Sequence, residues 1–468
     1  MNLNSTNKSN RSIKMIFFTI LSIAVTILLV FFISASLIKR DKPLALGQST
    51  DKDFTIYIAS DIHYLSDKLS DQGAAYEKFV TSGDGKLLKY IDEIADTFVY
   101  EIQKNKPNVL IVSGDLTSNG EKASHTDLAE KFKTIEKSGT QVYVIPGNHD
   151  IFNTWAREFK GDKQYVTDYI SDKGFSEIYA AFGFDEAVSR DEDSLSYLSA
   201  PNDKLWLLML DSNKYKENVS VGIPAADGLL RSSTLKWIEE CFKLAEEKGA
   251  NIIPVMHHNI LDHSEVIRDG YTLNNSGQTL ILFKKYQINL VFSGHIHVQD
   301  ISSDQKPEHP LYDIASGALS VYPHHYGVLK YSSEQNSLEY QTQSLDVNAW
   351  AKARHKKDKI LLNFNQYSEE YFSKMAYDRA YNSLADSGYP EEQIELLADV
   401  IKTLNIRYFS GTENLNATDV VHSEGYKLWT EYPDSFLKNY VATIISDKDT
   451  DDNHLSLKLE PVTDKTVQ

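Results

Sequence analysis

Five short apolar runs punctuate the N-terminal two thirds of the chain, each followed within two residues by Asp, His or Gly. They are Phe54–Ser60, Val109–Ser113, Gln141–Ile145, Ile252–Met256 and Asn289–Phe292. Runs this short, with turn residues at their ends, read as buried strands. Between them the apolar period becomes helical. Lys86–Lys104 has apolar residues at 87, 88, 91, 94, 95, 98, 99 and 102, a single stripe along one helix face. Lys122–Lys137, Thr234–Lys248 and Leu280–Tyr286 read the same way. Strands alternating with helices predict an α/β architecture. Beyond about residue 350 the strand signals stop and Tyr367–Asn405 becomes helical, with Glu391–Leu404 the clearest stretch. Residues 350–468 are therefore expected to form a mostly helical appended domain.

The N-terminus has a different pattern. Lys8, Arg11 and Lys14 precede Met15–Ile38, 24 residues without a charge. That length spans a bilayer, whereas a secretory apolar region is usually about 7–15 residues. Residues 1–42 are expected to be a tail plus transmembrane signal anchor, with 15–38 in the membrane. A long cleaved signal peptide is the alternative, because Ser34-Ala35-Ser36 offers small residues for a cut. Lys39, Arg40 and Lys42 balance the basic residues of the other flank. The short tail favours staying inside, which places the rest of the chain outside the cytoplasm. Residues 43–53 read as a polar tether and 54–345 as the main α/β domain. The insertions 64–85 and 155–199 leave the strand ends and are lid or specificity candidates.

With 48 basic and 66 acidic residues the net charge is −18. No basic stripe marks residues 54–345, so nucleic acid is disfavoured as a partner. The single cysteine, Cys241, excludes an internal disulfide framework.

Asp61-Ile62-His63, Gly114-Asp115, Gly147-Asn148-His149-Asp150, His257-His258 and Gly294-His295-Ile296-His297 follow the five strands in turn. Loops at the carboxyl ends of neighbouring strands converge on one sheet edge. Asp, His and Asn without Cys make an oxygen and nitrogen donor set, suited to Mn, Fe or Zn.

This ordered set resembles the calcineurin-like metallophosphoesterase superfamily, with the likeness covering about 54–340. It looks closest to the class III cyclic-nucleotide phosphodiesterases, through Ser-Asp-Ile-His at 60–63, Gly-Asp-Leu-Thr-Ser-Asn-Gly-Glu at 114–121, Gly-Asn-His-Asp at 147–150 and Gly-His-Ile-His at 294–297. The resemblance implies two mixed sheets packed face to face with helices outside, and two divalent metal ions. One metal would take Asp61, His63, Asp115 and His297. The other would take Asp115, Asn148, His257 and His295, so that Asp115 bridges. It further implies in-line hydrolysis by a hydroxide shared between the metals, with His149 as the acid for the leaving group and Asp150 orienting its ring. A small phosphate ester of the cyclic-nucleotide type is the expected substrate. A phosphomonoesterase or nucleotidase on the same site is the alternative, and a non-catalytic scaffold a remoter one. Ser118 stands where the purple acid phosphatases carry an iron-binding Tyr, so no such chromophore is expected.

His258 reads as a substrate-facing or supporting residue. Asp211 reads as a strand-end turn or a ligand contact, and His324-His325 as cleft lining or exposed loop. Asp447, Asp449 and Asp451 mimic the start of a calcium loop, but an EF-hand needs Gly at position 452 and Glu at position 458. The chain has Asp452 and Lys458 there, so the segment is expected to be a solvated acidic turn.

Overall fold

The computed structural model describes residues 54–306, 309–413, 417–447 and 451–459. The apolar segment 15–38 and the tether lie outside these residues, as does Asp449. Among the described residues no helix is long and apolar enough to cross a membrane.

The chain begins with three parallel strands, β1 (Phe54–Ala59), β2 (Val109–Ser113) and β3 (Gln141–Ile145). A hairpin of β4 (Arg157–Lys160) and β5 (Lys163–Val166) stands apart. A second sheet follows, made of β6 (Ser189–Arg190), β7 (Tyr197–Ser199), β8 (Leu205–Leu210), β9 (Asn251–Met256), β10 (Leu290–Ser293), β11 (Asp300–Ser303) and β12 (Tyr312–Ala315). Its order is β11-β12-β10-β9-β8-β7-β6, with β8, β9, β10 and β12 parallel. The chain then returns to the first sheet as β13 (His325–Ser332), β14 (Ser337–Ser344) and β15 (His454–Lys458), completing the order β15-β14-β13-β1-β2-β3.

The two sheets share one core. Successive strand residues point to opposite faces. In β8, Leu205, Leu207 and Met209 join the cluster that holds Ile58 and Val112 of the first sheet and Val255 and Phe292 of the second. Trp206, Leu208 and Leu210 are equally buried but belong to the other face. This two-sided burial explains why the strands read as unbroken apolar runs rather than alternating ones.

Helices follow the stripes closely, at Lys122–Glu136, Ser232–Lys248 and Ser276–Lys285. The first stripe differs. Its α-helix is Ile91–Asn105, preceded by a 3₁₀ turn at Leu88–Tyr90, while Lys86 forms an isolated bridge with Val321. Leu87 and Leu88 are buried without being α-helical. The insertions 64–85 and 155–199 pack on one another. The Gly161 N–H donates to Asp71 Oδ2 at 2.8 Å, and the Tyr76 and Phe159 rings lie 5.9 Å apart. The second insertion also supplies β6 and β7, the edge of the second sheet.

The C-terminal region is helical, chiefly Val347–Ala353, Phe364–Leu384, Glu391–Phe409, Glu424–Glu431 and Phe436–Ser446. It is not set apart from the sheets. Ile296 and Val298 share an apolar cluster with Leu397, Ile401 and Tyr408, and Phe372 packs with Ala318 and Val321. The strand β15, which follows the helices, carries no sequence signal strong enough to be read as a strand. Its residues are exposed or half-exposed, so it forms because the edge of β14 pairs with it.

This packing generates a prediction. A chain ending at residue 345 would expose the β14 edge and the Ile296–Val298 face together. Its thermal midpoint is expected to fall by at least about 5 °C, with aggregation. An unchanged midpoint would show that the helical region contributes no support.

Candidate metal centre

Five loops at the carboxyl ends of β1, β2, β3, β9 and β10 bring the motif residues together. Parallel pairing carries past the strand ends: the Asp61 N–H donates to Gly114 O at 3.1 Å and the His63 N–H to Asp115 O at 2.9 Å. Asp61, His63, Asp115, His295 and His297 all have positive φ, between 48° and 71°. The left-handed region is uncommon outside glycine, although Asp and His are enriched there, and such strain concentrates at functional sites. Two glycines allow the loops to close. A Cβ on Gly147 would lie 2.2 Å from Asp115 N, and one on Gly114 (φ 102°) 2.5 Å from His257 Nδ1.

Two donor groups share Asp115. The first is Asp61, His63, Asp115 and His297, and the second is Asp115, His257 and His295. In the first, His63 Nε2 and His297 Nε2 are 3.2 Å apart, Asp61 Oδ1 is 3.3 Å from His297 Nε2, and Asp115 Oδ2 is 3.6 Å from His63 Nε2. In the second, Asp115 Oδ1 and Asn148 Oδ1 lie 3.5 and 3.0 Å from His257 Nε2. Each oxygen of Asp115 thus faces a different group.

The protonation states of these groups suit cations. His257 Nδ1–H donates to Ser113 O at 2.9 Å, so in the neutral ring Nε2 is a bare lone pair facing two oxygens. Only a proton or a metal reconciles them. Burial alone would lower the His257 pKa, but the Asp115 and Asp61 carboxylates outweigh it and raise it to about 9. His295 donates from Nε2 to Gly270 O at 2.8 Å, which leaves Nδ1 as its donor atom. Burial and the His257 charge push its pKa down to about 3, keeping it a neutral ligand. Asp61 Oδ1 is buried and faces His297 Nε2 at 3.3 Å, while Oδ2 accepts the His295 N–H at 2.9 Å. Burial disfavours the Asp115 charge, yet the surrounding His257 and His149 hold its carboxyl well below the usual range. The residues present fit two divalent cations.

His149 is the most accessible of the histidines in this group, its side chain 23% exposed, with Nε2 3.9 Å from Asp115 Oδ2. Its Nδ1 lies 2.7 Å from Ser118 O. That carbonyl, rather than Asp150, orients the ring. Asp150 is fully buried and accepts the N–H groups of Leu116, Thr117 and Gly147 at 3.0, 2.9 and 2.8 Å. It pins the β2 and β3 loops to one another, a role that needs no contact with His149.

His258 has no face toward a substrate. It is fully buried, with Nδ1 2.8 Å from Ser212 Oγ and Nε2 3.0 Å from Ala226 O. Its ring packs 5.3 Å from His257 and 4.7 Å from His295, which makes it a support for both. Asp211 caps its strand-end turn, accepting from Asn213 N and Tyr215 OH at 3.1 and 2.9 Å. His324 is neither exposed nor in the cleft. It is held by Leu319 O and Ser368 Oγ at 2.9 and 2.7 Å, and His325 is buried beside it.

Lys86 is the site residue that the helical stripe concealed. Leu87 N–H donates to Ser320 O at 2.8 Å, and Ser320 Oγ donates to Asp61 O at 2.8 Å, so the Lys86 segment lies against the metal loop. Burial lowers the Lys86 pKa against the pull of Asp115, Asp84 and Asp61, and its charge in turn lowers those of His63 and His149. Among the described residues no ion pair engages its ammonium. The Gly83-Asp84-Gly85 turn before it was the available signal that the helix starts later.

Comparisons with known proteins agree with this geometry. Residues 54–299, just over half of the chain, match the calcineurin-like phosphoesterase family model. Residues 346–451 match the model for the C-terminal domain of cyclic nucleotide phosphodiesterase. A Synechococcus protein named "probable cyclic nucleotide phosphodiesterase" is 23% identical over 200 residues, 42% of this chain and 60% of that protein. The match therefore spans less than two thirds of that relative. A dimetal phosphatase of Danio rerio aligns over 62% of this chain and 96% of its own, at 14% identity and a TM-score of 0.43. A Staphylococcus aureus protein named as a 5′-nucleotidase aligns over 69% of this chain and 59% of its own, at 12% identity and a TM-score of 0.39. With two donor groups joined through Asp115 and a family model over the strands that carry them, the chain belongs to the calcineurin-like phosphoesterase family, with a C-terminal region that matches the C-terminal domain of cyclic nucleotide phosphodiesterase.

Proposed function

We propose that the protein hydrolyses phosphodiesters, with 3′,5′-cyclic nucleotides among its substrates. The observation that carries the phosphoesterase reading is the shared Asp115, with His149 Nε2 turned toward it at 3.9 Å. The diester preference rests on the match of 346–451 to a cyclic nucleotide phosphodiesterase C-terminal domain and on the printed name of the Synechococcus relative.

Asp61, His63, Asp115 and His297 would hold one ion, and Asp115, Asn148, His257 and His295 the other. Two divalent ions held there would supply Lewis acidity to the phosphoryl group and would lower the pKa of water enough to make a hydroxide nucleophile available near neutral pH. The protein's own residues do the rest. His149, fixed through Nδ1–H to Ser118 O, presents Nε2 to give a proton to the departing oxygen. Lys86 places a positive charge beside Asp115 and Asp61 without a close ion pair among the described residues, and so is available to a non-bridging phosphate oxygen. Water is kept from the far side of the donors by buried Ile62, Leu116 and Ile145. We also place the catalytic body outside the cytoplasm, tethered by the apolar segment 15–38. Protease accessibility of intact cells tests this, and protection of the catalytic domain would reverse it.

Substrate class is decided by turnover of metal-reconstituted residues 43–468. The fragment is expected to be soluble and active, and to favour diesters over monoesters in kcat/KM. A monoester preference of about tenfold or more would move the reading to a phosphomonoesterase or nucleotidase.

His149→Ala is expected to retain both metals and lose roughly 10²–10⁴-fold in kcat on alkoxide leaving groups. The loss should be smaller with p-nitrophenolate, which departs without a proton. Full activity on an alkoxide ester would remove the acid role, and loss of a metal would make His149 a ligand.

Lys86→Met is expected to keep the metal content and raise KM by about tenfold, the worth of one charge-assisted hydrogen bond. An unchanged KM would remove Lys86 from substrate binding.

A further inference from the structure

A second group of oxygen donors lies away from the dimetal centre, where the helical region meets the edge of the second sheet. Asp300, Glu413, Asp447 and Asp452 each offer a carboxylate oxygen, all within 4.8 Å of one another. Asp300 opens β11, three residues after His297, and the other three come from the C-terminal region. Glu413 is only 2% exposed, and among the described residues no other residue hydrogen-bonds either of its carboxylate oxygens. Leaving a buried carboxylate without a donor costs several kcal/mol in general, so a chain that folds this way gains from something that neutralises it. Of the expected acidic turn, Asp451 is exposed and Asp447 half-buried, while the neighbouring Asp452 is drawn inside. Asp452 is 1% exposed, and its Oδ1 accepts the Ile301 N–H at 3.0 Å.

We propose that Asp300, Glu413, Asp447 and Asp452 form a calcium-type cation site that clamps the helical region to the catalytic sheet. Calcium takes six to eight oxygens at about 2.3–2.6 Å, so donors on opposite sides of one ion lie about 5 Å apart. The spread of these four carboxylates fits inside that sphere. The donor set contains no sulfur or ring nitrogen, which suits a hard cation. The nearest histidine, His263, is already committed. Its Nδ1 is bonded to Asp300 Oδ2, and its Nε2 lies 3.3 Å from Asp313 Oδ2.

A cavity of about 390 Å³, lined by Asp300, Asp447, Tyr408 and Ser264 among others, gives an ion a path from solvent. Without a cation, burial and the Asp452 charge raise the Glu413 pKa to about 10, so a proton holds the place. The site also reaches the catalytic loops. Asp313, beyond His263, accepts the Ile260 N–H at 2.7 Å and Ser293 Oγ–H at 2.7 Å, two residues after His258 and directly before Gly294-His295.

The test uses the whole protein with its dimetal centre filled by manganese, titrated with calcium chloride. Calcium is expected to raise the thermal midpoint by at least about 3 °C. Terbium is expected to show luminescence excited through tyrosine, since Tyr408 lines the cavity. Both responses should persist in Asp115→Ala, whose dimetal centre is destroyed. Both should be lost in Glu413→Gln and in Asp447→Asn, a half-exposed position whose amide leaves the fold intact. A midpoint in wild type that calcium leaves unchanged would mean that the group is held by protons alone and would overturn the proposal. So would equal calcium responses in wild type, Glu413→Gln and Asp447→Asn.

Discussion

One buried carboxylate organises the catalytic half of this molecule. Asp115 sits almost wholly out of water, with His63 Nε2 3.6 Å from one oxygen and His257 Nε2 3.5 Å from the other. A lone buried anion is costly, so its surroundings must carry positive charge. The backbone contributes as well, since the His149 N–H donates to Asp115 Oδ1 at 2.9 Å. The loop after β2 therefore sets the loops after β1, β3 and β9 through a single side chain. Gly147 is a glycine because any Cβ there would collide with Asp115.

The same constraint explains where the fold stores strain. Five of the donor residues occupy left-handed backbone conformations, each costing of the order of 1 kcal/mol. Short parallel strands with bulky cores on both faces resist the relaxation of those loops. Asp150 supports them from below with three backbone N–H bonds, and buried His258 supports them from the side. Removing such support shifts the ligands although neither residue faces the cleft.

The helical region bears on the site by contact rather than by proximity in sequence. Ile296 points into its apolar cluster while His295 and His297 on either side turn to the donor groups. Arg379 pairs with Asp84, two residues before Lys86, and a side chain on Gly85 would meet Phe372 and Met375. The conformation of the Lys86 segment is thus set partly by a helix almost three hundred residues away. An appended domain that buries one side of a ligand loop can tune that loop without supplying a ligand.

The five strands, most helices and the meeting of the seven expected donor residues at one sheet edge were legible in the sequence because their signals are local. A doubly buried strand must be apolar throughout, and the residues that follow it share an edge with those following its neighbours. Donor chemistry then follows from residue type. What remained hidden depended on partners distant along the chain. Ser118 rather than Asp150 orients His149, because the β2 and β3 loops cross in a way that motif order does not encode. The exposed strand β15 exists only because the β14 edge is there to pair with it. Lys86 left its helical stripe when the Ser320–Val321 segment offered it a bridge. Asp447 belonged to an expected solvated turn, and neither it nor Asp452 gave a local signal of meeting Asp300 and Glu413. Local patterning determined the elements and the kinds of atoms at the strand ends. Long-range packing alone decided which of those atoms meet, because burial and hydrogen-bond partners belong to the folded chain and not to any short stretch of it.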